Sequence, residues 1–269
     1  MEQKLAPVFW LLGKSALRYF VLAGIPFLLF YVFFPAKFFR QKIQQRLASR
    51  KDFLREVWYS MQSTLVFTAI AAALLFTPLR QYTRIYDHLQ DHPGWYLWTS
   101  VAIALVIHDT YFYWMHRLLH HKNLFKLAHV VHHKSTNPSP WSSYSFHLLE
   151  AAPEGLVLVV ITMILPIHQL GIFLFTIAAF IINVYGHLGY EIMPRWVRRT
   201  WLFEVINSSV HHNLHHSKFK GNYGLYFRFW DRVMGTEHPD YVKEYDRVQA
   251  QRLQRAAKTA AQPPVAASL

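Results

Sequence analysis

Apolar and polar positions in this chain segregate into long blocks. From Ala16 to Phe34 the only charge is Arg18, and a second uncharged run extends from Val57 to Leu79. A third runs from Pro93 to Ile107 and stops at His108 and Asp109; the fourth and longest extends from Gly155 to Gly186. Uncharged apolar runs near 20 residues match a bilayer core of about 30 Å, crossed at about 1.5 Å per helical residue. The pattern predicts an all-α, polytopic membrane protein. The fourth run is too long for one crossing, and Pro166, His168, Gln169 and Gly171 interrupt its middle. It therefore predicts a helical hairpin that dips in and returns.

Charge sets the expected orientation. Lys37, Arg40, Lys42, Arg46, Arg50, Lys51 and Arg55 face only Asp52 in the first loop, whereas Arg84 is balanced by Asp87 and Asp91 in the next. The positive-inside rule assigns the first loop to the cytoplasm. Alternating sides then puts residues 116–133 on that face, with Arg117, Lys122, Lys126 and Lys134. The net charge of +13 over 269 residues is that of a basic membrane surface; no nucleic-acid recognition motif accompanies it. With Pro35 and basic residues after it and no small-residue cleavage site, the first run is expected to be retained as a helix. The expected organisation is N-terminal transmembrane helices and a basic loop over residues 1–95, a catalytic unit over 96–240, and a polar tail over 241–269. Disorder is expected near the end of that tail, from Gln251 toward AAQPPVAASL.

Histidine carries the candidate chemistry. Eight of the 17 histidines fall into three clusters: His116 and His120 in HRLLH, His129, His132 and His133 in HVVHH, and His212, His215 and His216 in HNLHH. On a helix, residues three or four apart share a face about 5–6 Å apart, so their imidazoles can converge. Eight nitrogens exceed the four of a structural zinc site, which predicts two metals. The hairpin leaves all three clusters on one side and brings in His187, in YGHLGY, as a ninth candidate ligand. The expected fold is thus a membrane helical bundle with a cytosol-facing helical cap carrying a histidine-rich dimetal site. The chain has no cysteine, which excludes disulfides, thiolate zinc sites and cysteine-held iron–sulfur clusters.

Candidates for the layer that surrounds and orients the ligands are His108, Asp109, His147, Asn183, His211 and Asp231. His108 precedes His116 by eight residues, about 12 Å on a continuous helix. It is therefore expected to line the site and not to bind metal. Asp109 is a carboxylate at the membrane interface and is expected to hold the second nitrogen of a ligand imidazole. Trp230–Thr236, WDRVMGT, is expected to pack beneath the site.

The segments HDTYFYWMHRLLHH, HVVHHKSTNPSPW, FHLLEA, and HHNLHH followed by NYGLYFRFWDRVMGT resemble the fatty acid hydroxylase and sterol desaturase superfamily, with wording nearest its sterol desaturase-like branch. The resemblance runs from His108 to Thr236. It implies a membrane non-haem oxidase with two iron ions and dioxygen as cosubstrate, acting on a membrane lipid: a sterol, fatty-acyl, isoprenoid or sphingoid compound that is hydroxylated or desaturated. The family ligands fall on the eight box histidines and on His187; Asn183 stands where some lipid-hydroxylating relatives carry a further histidine. A separate electron donor is implied, a b-type cytochrome or a ferredoxin with its reductase, in the bacterial inner membrane or the endoplasmic reticulum. Imidazole also accepts zinc, but an apolar substrate offers carbon–hydrogen bonds, whose attack needs a redox metal. Two other readings are a membrane zinc hydrolase and a metal transporter. No box contains the glutamate base of HExxH, and the boxes lie in basic segments instead of along a midplane path.

Overall fold

The computed structural model describes residues 2–46 and 48–260. It is nearly all helix. The apolar blocks become α1 (Glu2–Phe27), continued by a π-helical turn over Leu28–Phe33, then α2 (Arg50–Phe76), α3 (Gly94–Leu119), α5 (Leu148–Ile164) and α6 (Gln169–Gly186). Between α3 and α5 lies the short α4 (Val130–His133); beyond α6 come α7 (Ser209–Lys218), α8 (Phe229–Val233) and α9 (Tyr241–Ala260). Among the described residues, three helical spans are long and apolar enough to cross a membrane: Ala6–Phe33, Arg50–Phe76 and Gln169–Gly186. The block at 93–107 forms only the first half of α3, whose second half continues through HDTYFYWMHRLL. At 17 residues α5 is short for a full span.

The fourth apolar block is a hairpin. It breaks at Leu165 and Pro166, and β2 (Ile167–His168) pairs in parallel with β1 (Ile85–Tyr86) from the α2–α3 connection. The Arg84 amide donates to the Thr162 carbonyl at 2.7 Å, and the Tyr96 hydroxyl to that of Pro166 at 3.0 Å. The turn of the hairpin thus sits level with the loop between α2 and α3. The chain then returns through α6 to the end where α3 finished. Cysteines substituted at the exposed Lys122 and Lys218, in a chain with no native cysteine, are expected to react with an impermeant thiol reagent from one and the same side. Labelling from opposite sides would break this architecture.

The connection after α4 is tied down by polar groups of α2. Glu56 accepts from the Ser135 and Ser139 hydroxyls, and the Ser60 hydroxyl donates to the Trp141 carbonyl at 2.9 Å. A carboxylate buried this deeply is tolerable only with such partners. Close approach at Gly155 lets α5 settle on α2, since a Cβ there would lie 2.6 Å from the Ile70 side chain. The basic segment after α1 folds over the histidine end: Gln44 donates to the Thr136 carbonyl and to Asn213.

The polar end of the chain is helical as far as Ala260. Tyr241, Tyr245 and Val248, spaced four and three apart on α9, are fully buried against Phe203 and Val210. Gln251–Ala260, the start of the tail, belongs to α9; residues 261–269 lie outside the described part.

Candidate metal centre

The three histidine boxes and His187 meet at the end of the bundle where α3, α4 and α7 converge. One group comprises His116, His120, His129, His133 and His215; the other comprises His132, His187, His212 and His216. Within each group one ligand atom per residue lies within 4.8 Å of the others. Helical spacing explains the partition. The pairs 116/120, 129/133 and 212/216 are four apart and stay together, whereas His132 and His215, three along from the start of each HxxHH, cross to the other group.

The Nε2 atoms make the contacts. His116 and His129 approach to 3.1 Å, His129 and His120 to 3.1 Å, and His120 lies 3.2 Å from both His133 and His215. In the second group His187 lies 3.1 Å from His212, 3.2 Å from His216 and 3.4 Å from His132. Two nitrogens bound to one cation at about 2.1 Å, with angles from 90° to tetrahedral, would be about 3.0–3.4 Å apart.

The opposite ring nitrogens decide how these contacts read. His116 Nδ1 donates to the Tyr223 carbonyl at 2.9 Å, His215 Nδ1 to that of Gly221 at 2.7 Å, and His187 Nδ1 to that of Asn183 at 2.9 Å. His129 Nδ1 donates to Glu150 Oε1 at 2.6 Å. A neutral imidazole has one N–H, so in these four rings Nε2 carries a lone pair. Lone pairs pointed at each other repel, and a cation between them is the arrangement that relieves the repulsion. Burial, reinforced by neighbouring imidazoles, holds His129, His132, His212, His215 and His216 well below the ordinary histidine range, with His133 at about 3. Burial likewise brings His187 down to about 4. The rings are therefore neutral at physiological pH, the form that binds metal.

Local backbone geometry aims the rings. A π-helical turn over Phe125–His129 precedes α4; such turns shift the side-chain register and occur often at functional sites. Ser208 caps α7 by accepting the His211 amide. Gly221, at φ +78°, lets the chain double back so that its carbonyl faces His215; a Cβ there would lie 2.6 Å from the Thr236 carbonyl oxygen.

The flanking candidates divide. Asn183 supports His187 through its main-chain carbonyl, and its side chain donates to the Ser143 carbonyl at 2.8 Å. Asp231 accepts the Tyr223 and Gly224 amides at 2.9 and 2.7 Å, fixing the loop whose carbonyl holds His116, so the WDRVMGT segment does pack under the cluster. His108 stands apart from both groups and hydrogen-bonds the Tyr226 hydroxyl at 2.8 Å. Three expectations need correction. Asp109 holds no imidazole: its Oδ1 accepts the Tyr226 and Phe227 amides at 2.7 and 3.2 Å, the nearer donors at its depth on α3. His147 caps the start of α5, accepting the Leu149 amide through Nδ1, and faces away from the cluster. His211 is buried on the far side of α7 against Tyr241, 3.8 Å from Asp231. The sequence reading missed Glu150 and the carbonyls of Tyr223 and Gly221. Glu150 carried a legible signal, a carboxylate opening a long apolar segment; the carbonyls carried none.

Beside the cluster, α1, α2, α3, α5 and α6 enclose a cavity of about 370 Å³, lined mainly by apolar side chains such as Leu74, Leu75, Phe112, Phe146 and Phe175. Phe112 packs on His116 and Phe146 on His132, each with ring centroids 4.9 Å apart. One layer of side chains thus separates the cavity from the histidines.

Residues 101–236 match the fatty acid hydroxylase family model. Lathosterol oxidase of Rattus norvegicus is 34% identical over 194 residues, covering 69% of this chain and 61% of the relative. That of Mus musculus is 33% identical over the same shares. A Delta(7)-sterol 5(6)-desaturase of Gibberella zeae is 27% identical over 231 residues, 84% of this chain and 60% of the relative. The chain spans about three fifths of the length of these curated relatives. No solved structure matches it significantly.

Proposed function

The chain belongs to the fatty acid hydroxylase family, and from that premise we propose that it is a membrane oxidase that hydroxylates or desaturates a sterol-like lipid, using dioxygen at two irons. One juxtaposition carries the proposal: groups of five and four imidazoles stand one side-chain layer from an apolar cavity inside the helical bundle. Iron bound there would supply the oxidising power that an unactivated carbon–hydrogen bond demands and that zinc lacks. The chain's own residues do the remaining work. Glu150 and three main-chain carbonyls fix four of the nine rings with their Nε2 lone pairs inward. Phe112 and Phe146 keep bulk water from the cavity side, and the cavity walls hold the lipid by apolar contact.

The sterol reading comes from the relatives, whose names specify sterol oxidation. The basic segment folded over the histidine end favours a cytoplasmic orientation for the site. A separate b-type cytochrome or ferredoxin with its reductase supplies electrons on this reading.

The test is reconstitution. Purified in detergent and loaded with iron, the protein should hold two metals per chain and consume dioxygen only with a sterol and an electron donor present. With isotopically labelled dioxygen, an alcohol product should carry the label and an alkene should not. Full activity of the zinc form without dioxygen would overturn the oxidase and favour a hydrolase.

A further inference from the structure

Apolar side chains dominate the cavity wall; its ionisable groups include Lys14 and Arg18 of α1 and Glu154 of α5, with Tyr144 of the connection before α5 beside them. Arg18 donates one N–H to the Thr176 hydroxyl at 2.7 Å, and its other N–H groups have no partner among the described residues. Glu154 makes no hydrogen bond or ion pair among the described residues. The Tyr144 ring is stacked on Phe180 at 4.2 Å.

Glu154 follows Glu150 by four residues and so lies on the same face of α5, about 6 Å further along its axis. Glu150 holds His129. Glu154 therefore sits one helical turn beyond the histidine level on the cavity wall.

An unpaired carboxyl group and unpaired guanidinium N–H groups in an apolar cavity are both costly. A hydroxyl answers both, because it donates one hydrogen bond and accepts another. A hydrocarbon would satisfy neither. We infer that Glu154, together with Arg18, binds the hydroxyl of a lipid alcohol and is a specificity-determining residue of the cavity. The inference rests on the cavity being the substrate site of the proposed oxidase. It also places the carbons nearest the hydroxyl, and not the distal tail, closest to the histidines.

Competition binding in nanodiscs tests it, with iron-loaded protein, a photoreactive 3-hydroxysterol as the probe, and unlabelled 3-hydroxysterol or its 3-deoxy analogue as competitors at equal mole fraction. The wild type should prefer the alcohol by about tenfold or more, as expected for a hydrogen bond to a charged group. Glu154→Leu should reduce that preference to within about twofold while metal content stays unchanged. Glu154→Gln, which keeps an accepting oxygen, should retain part of it. Equal competition in the wild type, or an undiminished preference in Glu154→Leu, would overturn the anchor. Dioxygen-dependent product is measured separately. Preference without turnover would sink the oxidase and leave the anchor standing; turnover without preference would sink the anchor alone.

Discussion

His132→Ala and His133→Ala, neighbours in sequence, are expected to lose different metals. Each variant should retain about one metal per chain, and each should lose lipid oxidation by more than about 100-fold, because loss of a ligand exceeds the roughly 10–100-fold effect of losing a residue that merely supports one. His133 belongs with His116, His120, His129 and His215, whereas His132 belongs with His187, His212 and His216. The third box repeats the logic, so His215→Ala should pair with His133→Ala and His212→Ala with His132→Ala. Metal-to-protein stoichiometry, with spectroscopy of the remaining iron, separates the two classes. The apolar helices are untouched by these changes, so membrane insertion should be unaffected. Loss of both metals from every variant would mean the two groups are filled only as a unit. Wild-type turnover in any one variant would remove that residue from the ligand set.

Glu150→Ala should be nearly as damaging although Glu150 binds no metal on this reading. It leaves the buried Nδ1 of His129 without its 2.6 Å partner, a loss of about 2 kcal/mol for a hydrogen bond to a charged group. It also frees the ring to rotate or to change tautomer. Metal affinity at the five-histidine group should fall by roughly 10–100-fold, with the four-histidine group retained. Glu150→Gln keeps an acceptor for the same N–H and should lie between the two. An Ala variant with unaltered metal content and activity would show that His129 is held by its helix alone.

The parts of this molecule that were legible in the sequence are those in which local periodicity and final geometry coincide. The apolar blocks form the membrane helices because side chains facing lipid on most sides must be apolar. The break at Pro166 marks the hairpin because proline cannot continue the ladder of hydrogen bonds. The boxes stand out because i, i+3 and i+4 imidazoles face one way on a helix. Other features depend on tertiary contact. The assignment of His132 and His133 to different groups follows from how α4 is rotated against α3 and α7, aided by the π-helical turn before it. Asp109 and His147 were misread for one reason: each is a polar side chain beside a functional segment, and each satisfies a nearby backbone amide instead. The spacing of His108, by contrast, agrees with its place outside both histidine groups, since about 12 Å of helix is a rigid constraint.

Three of the histidines, His116, His187 and His215, are held by main-chain carbonyls, at Tyr223, Asn183 and Gly221. A carbonyl survives any substitution that preserves the path of the backbone. At position 183 the side chain can therefore change while the imidazole its carbonyl serves stays in place, and this residue lines the cavity, where a different side chain could help choose among lipids. Gly221 has no such latitude, because its positive φ and the Thr236 carbonyl above it leave no room for a Cβ. New substrates can thus be acquired next to an old metal centre without disturbing it.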